Sequence, residues 1–160
     1  VRQLQLPEVG IAASRDLLEL QAIHLHLFQD IYSWAGEVRT VDLRKTTGRA
    51  VPFAPWLSIR QLADNAARDL AADDWLRGLT TPDFIEKLSF HYDTFNYLHP
   101  FREGNGRVQR IFWSRVAADA GRKIDWSRVS RSMNDLACRT ANEEHDLDLL
   151  VEMFNLALVR

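Results

Sequence analysis

A proline and two glycines interrupt an otherwise helical pattern at one place, and the residues around the break carry most of the chain's recognisable chemistry. The run is His99-Pro100-Phe101-Arg102-Glu103-Gly104-Asn105-Gly106-Arg107-Val108-Gln109-Arg110. Pro100 has no backbone N–H and restricts the residue before it, so a helix arriving at His99 must stop there. From Asn105 onward, Val108, Ile111, Phe112, Val116 and Ala117 recur on one face at helical spacing. The pattern therefore predicts helix, short loop, helix, with Gly104 and Gly106 at the second helix's N-terminus. Glycine permits left-handed backbone and lets a ligand approach the main chain closely. The free N–H groups and positive dipole end of such a terminus make it an anion site.

The flanking residue types extend that reading. Arg107 and Arg110 are three apart, project to the same side, and can fork onto phosphate oxygens. Glu103 precedes the cradle as a lone carboxylate, which suits magnesium, an ion that takes one or two carboxylates plus substrate phosphates. His99 has an unperturbed pKa near neutrality and can accept a proton from an attacking hydroxyl. Together they suggest a site that grips a nucleoside triphosphate and stabilises charge as part of it is transferred.

The rest of the chain reads as one mostly helical domain. Its 160 residues suffice for a single core. The net charge of −2 argues against a nucleic-acid-binding surface. Cys138 is the only cysteine, so no intramolecular disulfide can form. No signal peptide or long apolar span is visible, so the expected location is cytoplasmic, with no membrane partner. Ser14 is the expected N-cap, with Asp16 in the first turn, of a helix ending near Gly36 and burying Leu17, Leu20, Leu27, Phe28 and Ile31. Alternation around 38–43, a turn at Thr46-Thr47-Gly48 and a return through Val51-Pro52-Phe53 predict a short β-hairpin. Helices are expected over 56–73, from Thr81-Pro82-Asp83 to Leu98, from the motif to Gly121, and over 127–141 and 145–159. His24 and His26 are two apart and cannot share a helix face, which speaks against a paired metal site. No spacing rule supports zinc at His91, Asp93 and His99. Asp73-Asp74 reads as a helix end and solvated loop.

The motif resembles the signature of the Fic family, H-x-F-x-[DE]-G-N-G-R-x-x-R, at every defined position. The 25–39 stretch, containing Asp30-Ile31-Tyr32-Ser33-Trp34-Ala35-Gly36, is similar to the first core helix and its exit in that family. Phe95-Asn96-Tyr97-Leu98 is similar to the usual lead into the motif. The resemblance implies a Fic fold, a compact helical bundle with a small β-hairpin flap. It spans 1–160 as one domain, with a lead-in over 1–13, the flap over 39–53 and the active-site motif over 99–110.

The resemblance also implies a protein adenylyltransferase that moves AMP from ATP to a Ser, Thr or Tyr hydroxyl of a target protein, releasing pyrophosphate. His99 would be the general base, and Glu103 would hold Mg2+ against the α- and β-phosphates. Asn105 with the backbone of Gly104 and Gly106 would form the anion hole, and Arg107 and Arg110 would hold the β/γ end. Phe101 would anchor the loop. Retention of Gly106 favours AMP transfer over the phosphorylation seen in Doc-type relatives, which carry a bulkier basic residue there. The flap residues Arg39, Thr40, Val41, Lys45 and Phe53 are expected to clamp the target as an added strand.

Many relatives are restrained by a helix of pattern [ST]-x-x-x-E-[GN], whose glutamate pairs with the residue equivalent to Arg110. The nearest match here, Thr140 to Glu144, is followed by His145 and falls in an expected core helix. The resemblance therefore implies that a small antitoxin supplies the glutamate, making this chain the toxin of a bacterial toxin–antitoxin pair. The alternatives are an inhibitory helix upstream of Val1, a secreted effector acting on host proteins, or a non-catalytic nucleotide-binding regulatory module.

Overall fold

A computed structural model describes residues 10–45, 49 and 51–159. The described residues form six α-helices: α1 Leu17–Phe28, α2 Ile59–Ala72, α3 Thr81–Leu98, α4 Asn105–Asp119, α5 Arg131–Glu144 and α6 Asp148–Ala157. Short 3-10 turns occupy Trp56–Ser58, Asp74–Leu76 and Trp126–Arg128. No helix is long and apolar enough to cross a membrane, among the described residues.

The longest helix, α3, is the central element, packed against α2, α4, α5 and α6. Its start follows from local chemistry. The Thr80 hydroxyl accepts the Asp83 N–H, and Pro82 lies in the first turn, where a missing N–H costs no helical bond. Phe84, Leu88, Tyr92 and Phe95 run down its buried face. Phe95 stacks on Phe112 and meets Trp113 edge-on, which locks α3 to α4 through aromatic area. Asp73, expected to be merely solvated, accepts from His91 of α3 and from Lys87, tying the end of α2 to α3.

Three expectations need correction. The N-cap of α1 is Asp16, whose carboxylate accepts the N–H groups of Leu18 and Glu19; Ser14 instead donates its hydroxyl to Asp16. A carboxylate at the cap also faces the positive end of the helix, an advantage a serine lacks. Helix α1 ends at Phe28, not near Gly36, and a series of turns carries the chain to Gly36, leaving Ile31 66% exposed instead of buried. The third concerns the 39–53 hairpin, in whose described residues no strand forms. What joins its two legs is one antiparallel bridge, Arg44 to Pro52, and the Phe53 N–H donated to the Leu43 carbonyl. Pro52 cannot donate to a ladder, which limits the pairing. The turn expected at Thr46-Thr47-Gly48 lies outside the described residues, as does most of the 1–13 lead-in.

Candidate active site

The loop between α3 and α4 is built by its own residues before any ligand is considered. His99 caps α3 in the left-handed conformation, φ 41° and ψ 59°, so the chain leaves the helix at the residue the proline marks. Phe101 then plunges into the core and is fully buried. Asn105 clamps the loop at its other end: its side-chain oxygen accepts the Phe101 N–H at 2.9 Å and its NH2 donates to the Phe101 carbonyl at 2.7 Å. The Asn105 side chain is buried, and its oxygen and one of its two amide N–H donors are held by the Phe101 backbone.

Gly104 precedes α4 at φ 82°, and no side chain caps the helix. The first N–H groups of α4 therefore keep the lack of intrahelical partners common to every helix start. A Cβ on Gly104 would lie 2.5 Å from the Phe28 ring. Gly106 differs: its backbone needs no left-handed freedom and nothing lies within 4 Å of its would-be Cβ. The fold makes no demand for glycine at 106, and open space over the main chain is what an approaching phosphate requires. Gly106→Ala is accordingly expected to unfold no earlier than the parent chain while binding ATP about tenfold more weakly, the equivalent of one lost hydrogen bond. A thermal melt alongside an ATP titration checks both halves.

His99, Glu103, Arg107 and Arg110 line one cavity of about 530 Å³, together with Lys45 from the flap segment and Arg131 and Asn134 from α5. The Glu103 carboxylate is 64% exposed and stands 4.0 Å from Arg107. Arg107 lies 4.4 Å over the Phe28 ring and Arg110 5.5 Å over the Trp126 ring, so each guanidinium has a shelf that restricts it beside the cavity. No cluster of three His, Cys, Asp or Glu able to hold a metal occurs among the described residues. A single exposed carboxylate next to an anion cradle fits a magnesium ion whose other ligands are substrate phosphates and water. Glu144 is exposed at the end of α5, an ordinary core-helix terminus.

Burial, then the positive charges of Arg39 and Lys45, push the His99 imidazole down to about 3, against a pull upward from the Asn96 carbonyl. Its Nδ1 is buried without a hydrogen-bond partner, and Phe53 stacks flat on the ring with centroids 3.8 Å apart. The ring is therefore neutral at ordinary pH. The folded state binds fewer protons at this site than the unfolded chain does below about pH 6.5, so the native state loses stability as pH falls from 6.5 toward 3. Urea unfolding between pH 6.5 and 4.5 should show this slope in the wild type and a shallower one in His99→Ala.

Two residues were misjudged by sequence. Arg39, expected on the target-facing flap, is 1% exposed, and its guanidinium is spent on backbone carbonyls. Phe53 is buried against His99 instead of facing outward, because the stack covers both rings. Thr40 and Val41 are exposed, as a docking edge requires, and Lys45 is half-buried at the cavity. His24 was weighed only as half of a metal pair, and its structural role was missed. It is fully buried, its Nδ1 accepts the Gly36 N–H at 2.8 Å, its Nε2 donates to the Glu103 carbonyl at 3.1 Å, and its ring stacks on Phe101 at 4.1 Å. It thus braces the loop on the side opposite Asn105. A histidine between Ile23 and Leu25 gave only one signal, a polar ring on a helix with apolar neighbours.

A buried arginine and a neutral histidine thus stand beside an uncapped, glycine-opened helix start in a mainly helical domain. The Fic/DOC family profile matches residues 15–117, and the chain belongs to that family. It is 39% identical over 131 residues to the protein adenylyltransferase VbhT of Bartonella schoenbuchensis, which covers 82% of this chain and 27% of the relative. It is 37% identical over 117 residues to the probable protein adenylyltransferase Fic of Escherichia coli K12, covering 73% of this chain and 57% of the relative. The chain thus spans between a quarter and three-fifths of the length of these relatives. Among solved structures, the N-terminal Fic domain of a putative cell filamentation protein from Bartonella quintana, with bound ADP, superposes with a TM-score of 0.93 at 25% identity, covering 99% of this chain and 79% of that one. The BepC protein of Bartonella tribocorum, with bound AMPPNP, gives a TM-score of 0.90 at 23% identity, covering 99% and 81%.

Proposed function

We propose that this chain is a protein adenylyltransferase that moves AMP from ATP to a hydroxyl of a target protein. The observation that carries the reading is the juxtaposition around one cavity of a neutral His99, the uncapped start of α4 and two arginines. The target hydroxyl oxygen attacks the α-phosphorus and forms the new P–O bond. The bond from that phosphorus to the oxygen bridging toward the β-phosphate breaks, and pyrophosphate leaves with the electron pair. His99 takes the hydroxyl proton; with Nδ1 buried, Nε2 is the nitrogen for this role. A base works best when its pKa is near the ambient pH. The triphosphate's charge opposes that of Arg39 and Lys45 and raises the proton affinity of the ring as substrate arrives. The first N–H groups of α4 donate to the non-bridging oxygens, and Arg107 and Arg110 hold the β/γ end. Glu103 would hold a magnesium ion, which supplies charge neutralisation of the phosphates.

The exposed Thr40 and Val41 present the edge along which a target segment docks by main-chain hydrogen bonds. Restraint comes from a second chain, a small antitoxin whose glutamate pairs with Arg110, which makes this the toxin of a toxin–antitoxin pair. Replacement of the base tests the chemistry. His99→Ala should lose transfer by at least about 100-fold while keeping ATP affinity within about threefold, since the phosphate contacts come from other residues. Equal loss of both would mean His99 serves binding and not proton transfer.

A further inference from the structure

Arg39 lies outside the 99–110 motif, yet it is among the largest fully buried side chains of the protein. Buried guanidinium groups ordinarily face a carboxylate, because an unpaired charge in the interior is costly. Here all four hydrogen-bond acceptors are main-chain carbonyls. Nε donates to His99 at 2.8 Å, Nη1 to Val41 at 2.7 Å, and Nη2 to Ala54 at 2.6 Å and Leu98 at 3.3 Å. The Arg39 backbone adds a fifth link, its N–H donating to the Pro100 carbonyl at 2.8 Å.

These acceptors come from three different places. Leu98 and His99 are the carboxyl end of α3, where carbonyls lack helical partners and a cation is favoured. Val41 is on the outgoing leg of the flap segment and Ala54 ends the returning leg. The fork geometry of a guanidinium lets one side chain serve all of them, which a lysine cannot do. The grip also flanks the strained point of the loop. His99 holds a left-handed backbone that a non-glycine residue adopts only when its surroundings fix it. Carbonyls on both Leu98 and His99 are tied to Arg39, and the next carbonyl, Pro100, is tied to its N–H. A second contact on the same axis is the Ala54 N–H donated to Tyr97.

We propose that Arg39 is a positioning residue for the transfer reaction, binding both legs of the flap segment to the backbone of His99 so that the base and the target-docking edge form one body. The proposal rests on the transfer reading given above. It explains how a segment whose described residues share one bridge keeps a fixed place relative to the base, and why Arg39 has main-chain carbonyls as its recorded hydrogen-bond acceptors. A misplacement of about 1 Å between nucleophile and base costs on the order of 100-fold in rate, and this knot sets that separation. ATP binding does not depend on it, because the cradle of Gly104, Gly106, Arg107 and Arg110 hangs on α4.

The test uses Arg39→Lys and Arg39→Met in the full chain with four readouts: ATP affinity, single-turnover transfer from α-labelled ATP, the His99 ring titration by NMR, and amide hydrogen exchange of the wild type. Both variants are expected to bind ATP within about threefold of wild type and to transfer AMP about 100-fold more slowly. The His99 ring should titrate at higher pH in Arg39→Met than in wild type and stay close to wild type in Arg39→Lys. In the wild-type protein the amides of Arg39 and Ala54 should exchange at rates alike, through one opening. Transfer at the wild-type rate in Arg39→Lys would overturn the proposal, as would loss of ATP binding in proportion to transfer. If neither variant folds, wild-type amides of Arg39 and Ala54 exchanging independently, by more than about 100-fold in protection, would overturn it on their own. A wild type that transfers no label refutes the transfer reading instead, and leaves the NMR and exchange results to judge whether Arg39 holds His99.

Discussion

Gly104→Ala is expected to destabilise the fold by about 2–5 kcal/mol, although it adds one methyl group. Two costs combine. A non-glycine residue at φ 82° pays about 1–2 kcal/mol for left-handed backbone. The new Cβ also meets the Phe28 ring at 2.5 Å, and that ring is 1% exposed and has little room to retreat, an overpacking worth about 1–3 kcal/mol. The displaced loop takes the Glu103 carboxylate and the start of α4 with it, so ATP affinity should fall too. Urea unfolding gives the stability loss. Pairing the change with Phe28→Leu isolates the steric part: the double variant should regain at least about 1 kcal/mol relative to additivity. Equal and additive losses would show that backbone strain alone is at work. The contrast with Gly106→Ala is the sharper point, since two glycines of one motif are expected to fail in different assays.

Glu19→Ala should cost about 3–5 kcal/mol, at a site far in sequence from the motif. The Glu19 carboxylate is fully buried and receives Arg15 Nη1 and Arg115 Nε, each at 2.6 Å, while its second oxygen accepts the Arg15 N–H at 2.8 Å. Arg15 also reaches Asp119, and Arg115 donates to the Ile11 carbonyl. Truncating Glu19 leaves two guanidinium groups with less compensation in a dry place, and that unpaired charge is the source of the penalty. The group pins the segment before α1 to the motif helix α4, so the lead-in around Ile11 should become open to proteolysis in the variant. Glu19→Gln keeps an acceptor but no charge and should lose less than the alanine. A lowered urea midpoint with unchanged m-value is the expected signature.

The sequence made some of this legible and hid the rest for physical reasons. The helix from Thr81 to Leu98 was readable because its start and stop are encoded locally, by Thr80 with Pro82 and by Pro100. The break at His99 and the uncapped, glycine-opened start of α4 were readable for the same reason. The α1 boundary was not, because two good caps, Ser14 and Asp16, stand two residues apart, and the turns after Phe28 keep enough apolar residues to mimic a helix. The role of Arg39 was misread because alternation around 38–43 placed it on a strand, whereas the α3 carbonyls that capture it lie 60 residues away in sequence. Asn105 and His24 share that lesson. Each polar side chain is held by backbone groups that only the folded loop brings within reach, and residue type alone cannot tell a ligand donor from a brace.

The most direct test of the account is label transfer with purified protein, magnesium and a cell lysate, comparing ATP labelled at the α-phosphate with ATP labelled at the γ-phosphate, and His99→Ala as control. The account predicts label on a protein band from the α position only, absent with His99→Ala. Label arriving from the γ position would contradict it, since that is phosphorylation and not AMP transfer.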